Sequence, residues 1–389
     1  MKNKKNVSVL NKVILIGSSH HNTLGIVRGF GRNGIKPYGI LIDNGKKAVG
    51  KSKYWADYSV VDNLSDIIPL LMEKYSHEDI RPVIIPVFDE DAAIIDQNYN
   101  SLKEYFLMPS IDEKQGAIVN LMDKQTQYEW AVNRGIKMLP SKVLDISQQA
   151  AKVELPVILK PVASIEGKKY HIRICQTNRE YEEAMAMYEA NGYERILAQR
   201  YLSDRKEYCC SGAVSRSGGM EYTVVENIRN WPKEYGVGSY AAVVTEKRVL
   251  QYAGKLLSEA IKIGYAGPID IEFFRDAKGE FYLNEYNWRC SGRNYASLCM
   301  GIYPVVDYYF ECIGVRQMTS HYTRKNGFVC DERIDLRNVL NRNITLIQWL
   351  KDVKKAKGFS FWDSRDMLPA LYEYMRLMKT AVEVAVCRE

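Results

Sequence analysis

After a polar start, the chain carries an uninterrupted apolar run at residues 13–16 that stops at Gly17-Ser18-Ser19. A run of that kind ending in a loop fits a strand buried on both faces of a parallel sheet. The pattern then changes to the 3.6-residue period over 23–33, which predicts a helix. Apolar runs at 37–42, 58–61 and 83–87 predict further strands, with a helix over 64–75 between them. Asp89 is placed to cap the helix that follows the last of these. Residues 106–108 are positioned to close the sheet. Strands that alternate with helices imply βαβ units, so the first 111 residues read as α/β.

Residues 112–150 contain two helical segments and then a turn around Pro140. From residue 156 the texture changes to strands in antiparallel-looking pairs: 156–162 with 171–175, then 196–202, 206–214 and 221–229. Helical periodicity interrupts them at 179–191 and 246–262, and 266–287 reads as a long hairpin. This is a second, α+β architecture. From about residue 320 the chain is rich in Arg, Lys, Trp and Tyr, and it ends in an amphipathic helix over 367–386. No internal repeat or low-complexity linker is visible.

Composition narrows the class without choosing a function. A chain of 389 residues has room for two or three domains, and 46% hydrophobic with 26% charged residues suits a globular protein. The net charge of +7 favours an anionic ligand such as a nucleotide, but the basic residues are scattered and no long basic run points to nucleic acid. The 8 cysteines include no CxxC, and the adjacent Cys209 and Cys210 point to opposite faces of a predicted strand. No apolar stretch approaches the roughly 18 residues that span a bilayer, and the opening MKNKKNVSVLNKVILIG lacks a signal-peptide pattern. The expectation is a reducing, cytoplasmic protein with no transmembrane segment.

The sharpest chemical constellation lies between Ile269 and Arg289. A two-residue turn at Ala277-Lys278 would pair positions whose numbers sum to 555, setting Glu272 opposite Leu283 and Asp270 opposite Glu285. With period-two alternation, Asp270, Glu272, Leu283, Glu285 and Asn287 then share one face. Opposed carboxylates destabilise a sheet unless a hard dication joins them, and Mg²⁺ takes one or two carboxylates together with phosphate oxygens.

Other segments suit a nucleotide. Lys160 sits inside the apolar VILKPV, an unusual place for a solvated cation. Glu166-Gly167-Lys168-Lys169 is a small basic loop able to fold over phosphates with backbone N–H groups and ammonium charge. The strand ILAQRYL, ending at Leu202, could line an adenine slot with backbone hydrogen bonds, and Glu207 is a candidate for the ribose hydroxyls. Residues 229–239 read as a glycine-bearing loop between a strand and a helix, in which Arg229 could hold a substrate carboxylate. The loop Gly17 to Asn22 ends a parallel strand, where ligands bind in such sheets, but it is no GxGxxG, which argues against a dinucleotide-dependent dehydrogenase. Its His20-His21 pair reads as a polar loop rather than a chelate, since adjacent histidines rarely bind one metal together.

The ordered set Lys124, Leu159-Lys160-Pro161, a Gly-containing loop, Gln199-Arg200-Tyr201-Leu202, Glu272 and Glu285-Tyr286-Asn287-Trp288-Arg289 resembles the ATP-grasp superfamily over roughly residues 12–315. The run from Glu285 to Arg293 resembles the E-x-N-x-R-x-S-x-R segment of the carbamoyl phosphate synthetase large-subunit branch. The single-copy layout with a C-terminal extension is similar to D-aspartate ligases and to cell-surface-polysaccharide carboxylate–amine ligases.

The resemblance implies a Rossmann-like domain over 1–111, an ATP-grasp domain over 112–320 with lobes at about 112–200 and 201–320, and a helical extension over 321–389. It implies that Lys124 and Lys160 bind ATP phosphates, that Gly167 and Lys168 cover them, and that Gln199, Arg200, Tyr201 and Leu202 form the adenine hinge. Gln199 departs from the family's more frequent Glu. Glu207 takes the acidic position after the hinge. Glu272, Glu285 and Asn287 are the implied Mg²⁺ ligands, for two ions with Mn²⁺ as a substitute; Arg289 would steady the transferring phosphoryl group, and Arg293 would meet the acyl phosphate or the substrate. The implied reaction is ADP-forming amide synthesis through an acyl phosphate. The implied partners are small-molecule carboxylate and amine substrates, a cell-wall or polysaccharide precursor among them, with a homodimer left open. Rival readings are a carbamoyl-phosphate-type or other acyl-phosphate-forming enzyme and a non-catalytic ATP-binding protein.

Overall fold

The computed structural model describes residues 11–42, 48–146, 153–162, 171–233, 236–323 and 325–386, with side chains placed through residue 379. Near the start of the chain, four parallel strands stand in the order Asp57–Val61, Tyr38–Ile42, Val13–Ser18, Val83–Pro86. The continuous apolar runs are explained by this sheet: Ile14 and Ile16 are buried against helices Ile67–Tyr75 and Asp89–Gln97 on one face. Val13 and Leu15 are buried on the other face with helix His21–Arg32. Asp89 is the first residue of its helix rather than its cap. The carboxylate of Asp91, two residues on, accepts the Phe88 N–H at 3.0 Å and satisfies that end. Asp89 is thereby left pointing elsewhere, toward Arg289.

A four-stranded antiparallel sheet follows, in the order Ser141–Asp145, Arg195–Arg200, Val157–Pro161, Arg173–Cys175. Helix Asn178–Ala190 covers it, burying Ala184, Met185 and Tyr188 against Leu159 and Ile196. The largest sheet has nine strands. Its main path runs Phe281–Asn287, Tyr265–Arg275, Lys206–Val214, Met220–Trp231, Val237–Val243, Gly327–Cys330, Ala356–Phe359. Helix Lys247–Lys262 packs on its back through Leu250, Ala253, Leu256 and Leu257. Helices Ala117–Met122 and Lys124–Asn133 join the same core through Ile118, Leu121 and Ala131.

Two features differ from the sequence reading. The described residues of the segment 229–239 are not a loop between a strand and a helix: 229–231 end Met220–Trp231 and 237–239 begin Val237–Val243, two antiparallel strands. The tail from 321 is not purely helical. Gly327–Cys330 and Ala356–Phe359 extend the large sheet, and His321–Tyr322 pairs with Met220–Trp231. These strands are two to four residues long, too short to show a clear period-two pattern in sequence.

Candidate active site

The 265–287 hairpin is built differently from the expected two-residue turn, yet it gathers the same acids. Asp276 and Glu280 close a three-residue loop in which Gly279 takes φ +84°, a left-handed conformation that a glycine adopts without steric cost. The longer loop moves the pairing sum to 556, and Leu283 turns into the core opposite Phe273. A bulge beyond it adds one more residue, so Glu272 stands opposite Glu285 and Asp270 opposite Asn287. The carboxylates and the carboxamide do share a face, and Leu283 is the one residue that leaves it. Asn284, displaced by the bulge, donates to Glu272 at 3.1 Å.

Across the cleft, Lys124 opens helix Lys124–Asn133, fixed by an Asp123 cap on the Thr126 N–H at 2.8 Å. Its Nζ donates to the Pro161 carbonyl at 3.3 Å, at the end of the strand that carries Lys160. Lys160 Nζ donates to Gln199 Oε1 at 3.2 Å, and Gln199 Nε2 donates to Ser141 Oγ at 3.0 Å. Gln199 thus orients the lysine but brings no charge to it. Burial, and then the charge of Lys124, lower the Lys160 pKa to about 8, while Glu285 and Glu272 pull the other way. Lys124, Lys160, Gln199 and Glu285 line a narrow cleft with Tyr128 and Met138. Gly167 and Lys168 lie outside the described residues.

At the hinge, the Arg200 and Tyr201 N–H groups donate to the Pro140 and Pro156 carbonyls, each at 2.9 Å. The Leu202 carbonyl accepts from Arg205 at 2.7 Å. Arg205 was not singled out in sequence. Its guanidinium lies over the rings of Tyr201 (4.5 Å) and Phe274 (4.7 Å) and donates to Glu207 at 2.6 Å. The second Glu207 oxygen accepts from Asn230 at 2.8 Å. Both Glu207 oxygens are thus held by the protein, beside residues 200–202. The available signal for Arg205 was a cation set between an aromatic and an acid two residues on.

The three arginines differ. Burial works against the charge of Arg289, but Asp89 and Asp270 overcome it and raise its pKa. The Asp270 bond is 2.7 Å and the Asp89 contact 3.3 Å, so Arg289 joins the acidic hairpin to the helix that follows the last strand of the parallel sheet. Arg293 is buried; it donates to the Tyr295 hydroxyl at 2.9 Å, to Asn227 at 3.2 Å and to the Gly238 carbonyl. Arg229 corrects the sequence expectation. Its Nε and Nη2 grip Asp335 at 3.0 and 2.8 Å, its Nη1 takes Asp352 at 2.7 Å, and its plane lies over Tyr240 at 4.6 Å. That fork is committed to the C-terminal tail and is not presented to a substrate. Asp89, Asp270 and Arg205 are the residues of this site that sequence reasoning missed or left without a role.

The N-terminal loop reaches the same region. His20 caps its helix by accepting the Asn22 N–H, and a Cβ added at Gly292 would lie 3.3 Å from Asn22 Oδ1. His21 is buried, with Arg333 at 3.0 Å from its Nδ1.

The donor chemistry fits a hard cation shared with a nucleotide. Among the described residues no three His, Cys, Asp or Glu side chains converge as a ready-made metal site. Two opposed carboxylates and a carboxamide beside two lysines match an ion whose coordination is completed by phosphate oxygens.

No family model matches the chain. A D-aspartate ligase from Enterococcus faecium (strain Aus0004) is 23% identical over 247 residues, covering 58% of this chain and 57% of that protein. The match thus spans little more than half the length of the relative. The structure of an N5-carboxyaminoimidazole synthetase from Staphylococcus aureus complexed with ADP superposes with TM-score 0.65 at 16% identity, covering 85% of this chain and 86% of that one. An L-amino acid ligase from Bacillus licheniformis gives TM-score 0.61 at 13% identity, with 78% and 74% covered. The molecule is a two-lobed α/β plus α+β architecture with a cleft between the hairpin and the facing lysines. It has the ATP-grasp fold.

Proposed function

We propose that the chain is an ATP-dependent carboxylate–amine ligase. A substrate carboxylate attacks the γ-phosphorus of ATP, giving an acyl phosphate and ADP; an amine then attacks the acyl carbon, forming an amide and releasing phosphate. The observation that carries this reading is Glu272 facing Glu285 on a hairpin whose cleft also holds Lys124 and Lys160. Glu272, Glu285 and Asn287 would hold Mg²⁺, one or two ions with Mn²⁺ as a substitute, which when bound neutralises and orients the phosphates. Lys124 and Lys160 offset phosphate charge, with Gly167 and Lys168 closing over it. The backbone of Arg200 to Leu202 after Gln199 receives adenine, and Glu207 the ribose. Arg289 steadies the transferring phosphoryl group and Arg293 the acyl end of the substrate.

Two relatives named as amino-acid ligases support an amino acid as one substrate. In this reading residues 112–320 bind ATP and 1–111 contribute the acceptor loop, and the reaction serves a cell-wall or surface-polysaccharide precursor in the cytoplasm. The test is Mg²⁺-dependent ADP and phosphate release across a panel of amino acids, small carboxylates and bicarbonate, with wild type and Glu285→Gln. Release that needs one acid–amine pair and disappears in the variant is expected. Release with bicarbonate alone, or no binding of ATP, would overturn the reading.

A further inference from the structure

The tail carries a surface that the cleft chemistry does not use. Helices Glu332–Leu340 and Leu346–Lys355 follow each other on the outer side of the large sheet. Their inward residues are committed: Asp335 and Asp352 bind Arg229, and the Asp352 carbonyl accepts from the Tyr240 hydroxyl at 3.2 Å. Their outward residues are large and aliphatic. Leu336, Leu340, Leu346, Ile347 and Leu350 are between 39% and 73% exposed. Isolated apolar residues are ordinary on a protein surface, but five within one short helical pair form a patch.

The charges around the patch are of one sign. Arg337, Arg342, Lys351, Lys354, Lys355 and Lys357 are all exposed. Over 336–357 the only acid is Asp352, which is buried in its pair with Arg229. An apolar crest ringed by long basic side chains matches the layered chemistry of an anionic bilayer surface: acyl chains below, phosphate headgroups above. Lys and Arg can lay their aliphatic stems along the crest and keep their charges among the headgroups. A second copy of the chain fits worse, because a two-fold pairing on this face would oppose like charges. A soluble polyanion would leave the leucines uncovered. No helix among the described residues is long and apolar enough to cross a membrane, so the contact is peripheral.

We propose that the helix pair 332–355 docks the protein on an anionic lipid surface, through Leu346, Ile347 and Leu350 inserted among acyl chains and the surrounding lysines and arginines on the headgroups. The inference stands independently of the ligase reading. Because Asp352 is bonded to Arg229, the docked helix is tied directly to the strand pair beside Arg293.

The test is co-sedimentation of the full chain with phosphatidylcholine vesicles, with and without phosphatidylglycerol, at low and high salt. Binding should require the anionic lipid and weaken with salt. Lys354→Ala should cost about fivefold in affinity and Ile347→Asp more than tenfold, with ATP binding retained in both as the check on folding. Absence of binding to anionic vesicles, or equal binding by wild type and both variants, would overturn the proposal. So would a concentration-dependent dimer that Ile347→Asp dissociates and vesicles do not, which would assign the face to a second copy.

Discussion

Glu272 and Glu285 face each other across two antiparallel strands, a pairing reached only because a three-residue turn and a bulge each advance the register by one. Opposed like charges on a sheet cost a few tenths to about 1 kcal/mol. A regular two-residue hairpin would have opposed Asp270 and Glu285 instead; the two irregularities change which acids meet and set Asp270 against Asn287. The proposed cation-binding role draws its support from that cost and from the lysines on the facing strand and helix.

Glu285→Gln should therefore leave folding nearly intact and remove catalysis. The expected fall in ADP release is about 10²–10³-fold, the scale of losing one preorganised electrostatic group. The thermal stabilisation that wild type gains from Mg²⁺ with ATP should shrink toward that from ATP without Mg²⁺. Scanning calorimetry with and without the ion separates this from a general loss of structure, which would lower the melting temperature of the nucleotide-free protein.

If Lys160 meets a phosphate of ATP as proposed, nucleotide binding depends on pH. With a pKa of about 8 in the free protein, the group is mostly charged at pH 7 and mostly neutral at pH 9. Phosphate binds the charged form, so ATP affinity should fall as pH rises through 8, by up to tenfold per unit. Binding near pH 8 should draw a proton from the buffer, seen as a dependence of the calorimetric heat on buffer ionisation enthalpy. In Lys160→Met the proton uptake should vanish. The stability effect has its own sign: a lysine lowered from 10.5 binds fewer protons folded than unfolded, so its contribution improves as pH rises from 8 toward 10.5.

Much of this site could be read from residue order alone, and the reasons differ by residue. Lys160, Glu272 and Glu285 stood out because each breaks a local rule, a cation in an apolar strand or acids stacked on a hairpin face; Asn287 was placed by sharing that face, and Lys124 came from the resemblance alone. The hairpin register was not legible, because a bulge depends on how Leu283 packs against Phe273 and leaves no mark in composition. The parallel sheet was legible from its apolar runs. The tail strands were not, since a strand of two to four residues has no period to show. Arg229 was misread because its partners, Asp335 and Asp352, lie more than a hundred residues away.

The Arg229 correction gives a separate test. Asp335 is fully buried and its charge is met by Arg229 and Ser239. Arg229→Ala would strand two buried carboxylates, Asp335 and Asp352, at a cost of about 3–5 kcal/mol or more. A substrate-binding arginine would instead raise KM and leave stability unchanged. Urea unfolding of Arg229→Ala beside the triple variant Arg229→Met, Asp335→Leu and Asp352→Leu distinguishes the two: the triple variant should recover much of the loss, because it removes all three charges together.

His21 predicts how the molecule responds to acid. Its Nδ1 lies 3.0 Å from Arg333, which only donates, so this nitrogen carries no proton and the ring is neutral. Asp331, 3.5 Å away, favours the charged ring, but burial outweighs it and drives the pKa down to about 4. Between pH 6.5 and 4 the unfolded chain therefore binds a proton that the folded chain does not, and stability falls on acidification by about 3 kcal/mol. Asp331, held down to about 2, adds loss in the same direction only below about pH 4. Urea midpoints measured from pH 7 to 4 should show the first slope in wild type and a flatter one in His21→Gln, whose amide oxygen can accept from Arg333 without titrating. An unchanged slope in that variant would place the acid sensitivity elsewhere. Because His21 joins the N-terminal loop to the tail through Arg333, the same titration should loosen the loop facing Gly292 before the two large sheets unfold.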